Sequence, residues 1–280
     1  MTASLADATQ PLLLDRLLSP DRTAVMGILN LTPDSFSDGG KFVDPQIAIA
    51  HAKRMIAEGA DVIDIGAEST RPYGGMAPVT AQMERERLEP VLSAVIALGK
   101  PVSIDTMKAD IADWAIRQGA TIANDVWGLH RDPNMAHVIA RHGVPVIVMH
   151  NRHEADPSID IIADMNAFFE RSLDIAARAG VKREQIVLDP GIGFGKTPEQ
   201  SIIAVAQLHR FKHFGLPILI ALSRKRFIAS IVPSEPHQRL GGSIAAHVIA
   251  VQAGAAMVRT HDVAETLQAL RVAEAIWSAQ

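Results

Sequence analysis

The sequence predicts an α/β fold of the (β/α)8 TIM-barrel class in a single domain, and three observations carry that prediction. Short apolar, β-branched runs alternate eight times with segments of helical period along the 280 residues. Those runs show little apolar–polar alternation, which suits a parallel sheet buried on both faces. A glycine-then-strand phrase recurs as EGADVID, QGATIAN, HGVPVIV and AGAAMVR, the mark of a repeated unit. Eight such units close most economically as a barrel of ~250 residues, with an open doubly wound sheet as the alternative.

The strands follow in order. They are predicted at Ala24–Leu29, Asp61–Ile65, Val102–Asp105, Thr121–Asp125, Val144–Met149, Ile186–Asp189, Ile218–Leu222 and Ala256–Thr260. Residues 1–22 read as a lead-in with a short helix at Leu12–Leu18, and residues 23–280 as the barrel domain. Helix punctuation fills the gaps. Asp44-Pro45 opens a helix closed by Gly59, Asp132-Pro133 one closed by Gly143, and Thr197-Pro198 one closed by Gly215. Asp or Thr accepts from the first free N–H groups, Pro at the first helical position forfeits no bond, and Gly past the end tolerates the left-handed cap.

Composition narrows the function. The chain has no cysteine, which excludes disulfides, thiolate metal sites and a cysteine nucleophile. A net charge of −4 and a pI near 6.2 argue against a general nucleic-acid partner. Asp7, Asp15 and Arg16 interrupt the N-terminal apolar residues, so no signal peptide is read there. Gly241–Val258 carries no formal charge, but Gly254 breaks it and Ser243, His247 and Gln252 dilute it. It reads as a buried helix, turn and strand rather than a membrane span. The expected protein is cytoplasmic and soluble, with no membrane contact.

In a barrel of this class chemistry sits at the C-terminal ends of the strands. Those ends carry Asn30, then Asp64 with Glu68-Ser69-Thr70-Arg71, Asp105, Asn124-Asp125, Met149-His150, Asp189, Ser223-Arg224-Lys225, and Arg259 with His261. Any one of them alone is an ordinary capping residue; eight polar ends facing one mouth form a site. Arg71, Arg259 and His261 suit an anion beside helix N-termini. Asp105 and Asp189 end very apolar strands, where a carboxylate needs donors, and a ligand bearing N–H groups would supply them. The first strand runs into a polar, Gly- and Pro-containing loop within Met26–Gly40, where Phe36 stands apart from other large apolar residues.

Two motifs are set aside. Pro190–Thr197 ends in Gly-Lys-Thr, but Pro190 occupies the first glycine position of a phosphate-binding loop. His209 and His213 stand at metal-ligand spacing, late in a predicted helix and beside Arg210 and Lys212, so a solvated face is expected.

The ordered set GILNLTPDSFSDGG, DVIDIGAESTRP, VSIDT, NDVWG, VMH, LDPGIGFGK, LSRK and VRTHDV resembles dihydropteroate synthase from about Ala24 to Ala275. The resemblance implies a folate-biosynthesis transferase. It would condense a dihydropterin bearing a hydroxymethyl diphosphate with p-aminobenzoate, releasing diphosphate, and would be a sulfonamide target. It implies that Asp105, Asn124, Met149, Asp189, Phe194 and Lys225 bind the pterin. It places Asn30, Thr70, Arg71, Arg259 and His261 on the diphosphate, with Asn30 also on Mg²⁺, the expected cofactor. Phe36, Thr70, Pro72, Phe194 and Ser223 would line the p-aminobenzoate subsite. Asp105, Arg71, Lys225, Arg259 and His261 would carry the catalysis. A homodimer is implied, and the Ala- and Ile-rich Gly241–Gly254 helix is expected to bury both faces, one of them on a second subunit. Ala67 and Ala221 stand where the family commonly has glycine, and Tyr73–Pro78 is longer than its usual connection. A pterin-holding paralogue without catalysis and a methyl-transferring pterin domain are the competing classes. The TPDSFSDGG and STRP loops have no use in the latter.

Overall fold

The computed structural model describes residues 13–19, 21–32, 44–68 and 79–279. The predicted Phe36, Thr70, Arg71 and Pro72 lie outside the described residues, as does the Tyr73–Pro78 segment. Eight parallel strands run in the spatial order β6-β5-β4-β3-β2-β1-β8-β7. They are β1 Ala24–Asn30, β2 Val62–Gly66, β3 Val102–Asp105, β4 Ile122–Asp125, β5 Val146–Met149, β6 Ile186–Asp189, β7 Leu219–Ile220 and β8 Met257–Thr260. A parallel bridge between Leu188 and Ile218, with Leu188 N–H donating to Pro217 O at 2.9 Å, joins the two ends and closes the barrel.

Helices α1 Leu13–Leu17, α2 Pro45–Ala57, α3 Ala81–Ile96, α4 Ala109–Gln118, α5 Met135–His142, α6 Ile161–Ala179, α7 Pro198–Ala206, α8 Arg226–Ile231, α9 Leu240–Gln252 and α10 Val263–Ser278 surround it. Caps set several of their starts. Asp44 accepts from Gln46 N–H ahead of Pro45 in α2, and Thr197 and Gln200 form a reciprocal capping box on α7.

Two helices depart from the prediction. The segment after Asp132-Pro133 turns helical only at Met135, because Asp132 spends one oxygen on Asn134 N–H and the other on Ala109 N–H of α4. The helix opened by Thr197 ends at Ala206, and a 3₁₀ segment, Leu208–Phe214, reaches Gly215. At three residues per turn, His209 and His213 no longer share a face, which removes their metal-ligand spacing.

Strand parity sorts the interior. Ala24, Met26, Val62, Ile122, Ile147, Val187, Leu219, Ala221 and Met257 form one apolar cluster, with Leu14 of α1 packed among them. Each Val, Leu, Ile or Met among them, fully buried, contributes about 1.5–3 kcal/mol, so the cluster makes a firm floor under the barrel. Neighbours of opposite parity, such as Val25, Ile63, Ile104 and Val148, face the helices in a second and larger cluster. Two residues along from Val62, Ile122, Val187 and Met257 of the floor, the inward positions turn polar as Asp64, Asn124, Asp189 and Arg259, and β3 adds Ser103 and Asp105. Among the described residues no helix is long and apolar enough to cross a membrane.

Candidate active site

The period of two places these polar residues together. Register pairs Gly66 with both Asn30 and Asp105, Asp105 with Asn124, and Met149 with Asp189. Alternate residues of one strand share a face, so the inward residues beyond the floor point into the mouth. Gly66 leaves room between Asn30 and Asp105, since a Cβ there would stand 3.1 Å from the Asp105 Cβ.

Arg259 crosses this space. Its Nε donates to Asp64 Oδ2 at 2.6 Å and its Nη2 to Asp105 Oδ2 at 2.8 Å. Asn124 Nδ2 also turns toward Asp64, at 3.3 Å from Oδ2. Burial and the Asp64 carboxylate push Asp105 up to about 7, against the opposing pull of Arg259. Asp105 Oδ1, Asn124 Oδ1 and Ser103 Oγ are buried without a hydrogen-bond partner among the described residues. Unmet buried acceptors cost free energy, and a ligand with N–H groups would relieve that cost.

On the opposite wall Asp189 is 3 % exposed and accepts from Gly191 N–H at 2.7 Å. Burial raises its pKa, and the Gly191 bond, Lys225, Arg259 and Lys196 counter the shift. Gly191 is required here: it holds φ +60°, and a Cβ would stand 2.0 Å from His150 O. The loop that follows carries Phe194, whose ring lies 4.2 Å from Lys225 Nζ. Met149 is buried at the end of β5.

The turn from β7 into α8 is held from three sides. Arg224 adopts φ +59°, and its side chain pairs with Asp262. Arg224 N–H donates to Ser243 Oγ at 2.9 Å, and Arg239 Nη1 donates to Arg224 O at 2.9 Å. Ser223 Oγ accepts from His261 N–H at 3.2 Å and stands 3.0 Å from His261 Nδ1. Leu222 N–H donates to Nε2 of the buried His247, which burial holds neutral with a pKa of about 3.

The structure therefore brings Asn30, Asp105, Asn124, Met149, Asp189, Phe194, Ser223, Lys225, Arg259 and His261 to one end of the barrel. Two residues given no role by the sequence reading join them. Asp64, fully buried, touches both Arg259 and Asn124. Lys196, the lysine of the discarded Gly-Lys-Thr motif, is 2 % exposed and donates to Gly191 O at 2.8 Å and Phe194 O at 3.0 Å. It also meets His150 Nδ1 at 2.7 Å, while His150 Nε2 bonds to Asp164 at 3.0 Å. Strand parity was the available signal for Asp64; nothing local marks Lys196.

Among the described residues no group of three or more His, Asp or Glu could hold a metal ion. Asn30 offers a single neutral oxygen donor at the end of β1. That donor fits a hard cation which keeps its waters and takes its other ligands from a phosphate.

A family profile described as "Pterin binding enzyme" matches residues 26–261. The chain is 45% identical over 257 residues to dihydropteroate synthase of Bacillus subtilis (strain 168), covering 91% of this chain and 89% of that protein. Among solved structures, dihydropteroate synthase from Clostridium difficile, in the presence of pteroic acid, matches with TM-score 0.87 and 48% identity over 91% of this chain and 97% of that one. The Xanthomonas albilineans dihydropteroate synthase with 4-aminobenzoic acid matches with TM-score 0.87 and 41% identity over 92% of this chain and 94% of that one.

Proposed function

The chain belongs to the dihydropteroate synthase family, and from that premise we propose how its barrel mouth divides the two substrates. It is a transferase. It condenses (7,8-dihydropterin-6-yl)methyl diphosphate with p-aminobenzoate, giving 7,8-dihydropteroate and diphosphate. One observation supports the division most: two carboxylates, the buried Asp189 and Asp105 with its Oδ1 buried, stand near the cations Arg259 and Lys225 in the same mouth.

In this reading the pterin ring lies deepest. Asp189 accepts the ring's adjacent amino and N–H groups, and Lys225 donates to its carbonyl. Asn124 and Asp105 take further donors, with Met149 and Phe194 against the ring faces. Each charge-assisted bond is worth about 1.5–3 kcal/mol. The diphosphate falls to Asn30, Thr70, Arg71, Arg259 and His261. Phe36, Thr70, Pro72, Phe194 and Ser223 line the p-aminobenzoate subsite.

The chemistry then needs no covalent enzyme intermediate. The methylene C–O bond breaks, its electron pair leaves with the diphosphate, and the ring nitrogens delocalise the cation that remains. Asp105 stabilises that positive charge, while Arg71, Arg259 and His261 stabilise the departing negative charge. The neutral amine of p-aminobenzoate attacks the methylene and releases a proton to solvent. A Mg²⁺ ion held by Asn30 and the diphosphate would supply further charge neutralisation on the leaving group.

We also read residues 1–22 as a lead-in and 23–280 as the barrel domain of a cytoplasmic protein that pairs with a second copy. Only part of α9 and α10 is covered: Ile249, Val272 and Ile276 are more than half exposed in the single chain, which leaves an apolar face for that copy. Diphosphate release measured with both purified substrates tests the central reading. It should require both substrates and Mg²⁺, and release that ignores p-aminobenzoate would overturn it.

A further inference from the structure

Asp64 touches two groups that the reading above gives to different subsites, Asn124 for the pterin and Arg259 for the diphosphate. It is 0 % exposed, and its carboxylate oxygens meet Asn124 and Arg259. Its position follows from β2, where Val62 belongs to the floor cluster and Asp64 is the next inward residue.

The bonding pattern gives each partner a defined orientation. An ionised carboxylate only accepts, so the Asn124 group facing it is the amide nitrogen. That leaves Asn124 Oδ1, buried and without a partner among the described residues, directed away as an acceptor. A reversed amide would set oxygen against oxygen. Arg259 divides its fork in the same way. Nε is tied at 2.6 Å to the fully buried Asp64, whereas Nη2 bonds to Asp105, which retains some exposure at the mouth. The first contact is an anchor, and the second is the one that an incoming anion could replace while the anchor holds.

We propose that Asp64 is a positioning residue serving both subsites: it fixes the Asn124 amide with its oxygen toward the pterin and pivots the Arg259 guanidinium on Nε so that its Nη groups face the diphosphate. The proposal rests on the assignment of Asn124 and Arg259 above. It also assigns Arg259 a second contact, to Asp105, that is exchanged for the leaving group's oxygens. Asp64 thus makes orientation of the two subsites a shared property of one buried carboxylate, without touching either ligand.

The test is Asp64→Asn, which keeps the shape and replaces one acceptor oxygen by a donor. KM for the pterin diphosphate and the inhibition constant of inorganic diphosphate should both rise about tenfold or more, the loss expected for a misaligned charge-assisted pair. KM for p-aminobenzoate should stay unchanged, a split that general loosening of the fold would not produce. Asn124→Ala and Arg259→Ala measured alongside separate the two levels. If they weaken pterin diphosphate and inorganic diphosphate respectively while Asp64→Asn weakens neither, the role of Asp64 is overturned alone. If they too leave both constants unchanged, the subsite reading falls and this inference with it. Should Asp64→Asn fail to fold, a crystal structure of the wild-type protein with the pterin diphosphate decides. Asn124 Nδ2 and Arg259 Nε both still on Asp64 supports the proposal, and loss of both contacts overturns it.

Discussion

Lys225 holds its ammonium 4.2 Å from the ring of Phe194, so a cation from the β7–α8 turn and an aromatic from the loop after β6 form one wall of the mouth. Such a pair is worth about 0.5–2 kcal/mol, rising as it is desolvated. Phe194→Leu should therefore raise KM for the pterin diphosphate by about two- to thirtyfold on that scale. It should raise KM for p-aminobenzoate as well, because the same ring is assigned to both subsites. Steady-state kinetics with each substrate varied in turn would check it; an effect on neither would remove Phe194 from the wall.

Asp189 is the more buried of the two carboxylates assigned to the pterin, and its replacement should be more severe. Asp189→Ala should lower kcat/KM by about a hundredfold or more, the cost of losing paired charge-assisted bonds. Its thermal midpoint should change little, because the relief of a buried carboxylate offsets the Gly191 N–H left unpaired. Turnover close to wild type would exclude Asp189 from substrate binding.

Asp105 gives the fold a pH dependence with a definite sign. Its carboxyl is pushed from 3.8 to about 7, chiefly by burial and next by Asp64, so the folded chain keeps a proton that the unfolded chain has already released in between. Stability from this group is present below the lower value and is lost as pH rises through the upper one. Asp105→Asn lacks the effect, so it should gain on wild type by up to about 1.4 kcal/mol per pH unit across that window. Urea unfolding of both proteins at several pH values tests it. Parallel stability curves would contradict the shift.

Lys196 braces the loop that carries Phe194. Burial pushes its pKa well below the usual lysine range, and its Nζ meets three acceptors, Gly191 O, Phe194 O and His150 Nδ1. His150 fits that partner because burial, followed by the nearby Lys196 charge, holds its pKa at about 3, and its other nitrogen bonds to Asp164. Lys196→Met would strand all three acceptors, at about 1–3 kcal/mol each before relaxation. A fall of several degrees in thermal midpoint is expected by calorimetry. An unchanged midpoint would show that the loop holds itself.

Sulfonamides that mimic p-aminobenzoate should inhibit by competing with it at the mouth. Raising p-aminobenzoate should restore full velocity, and inhibition that persists at saturation would contradict the assignment of the outer subsite.

Much of this was legible beforehand because a parallel strand leaves clear marks. GADVID announces a glycine cap, a buried run and an inward carboxylate, and β2 begins within a residue of the prediction. The break between α7 and its 3₁₀ continuation was not legible, since Leu208–Phe214 has a composition that suits either helix. The partners of Arg259 were also out of reach. Asp64 lies 195 residues away in sequence, and no local pattern says that an arginine read for an anion will stand against two carboxylates. Lys196 carried a misleading motif, and only the carbonyls of its own loop reveal what it does.

The floor of Met26, Val62, Ile122, Ile147, Val187 and Met257, corked from below by Leu14, makes the barrel a blind well. Traffic has a single doorway. On the proposed reading, with the pterin seated deepest, p-aminobenzoate would stack after it, and an early p-aminobenzoate would bar the way. On that reading the well itself would set the sequence of arrival: first in would be last out, and the joined product would back out aminobenzoate end first.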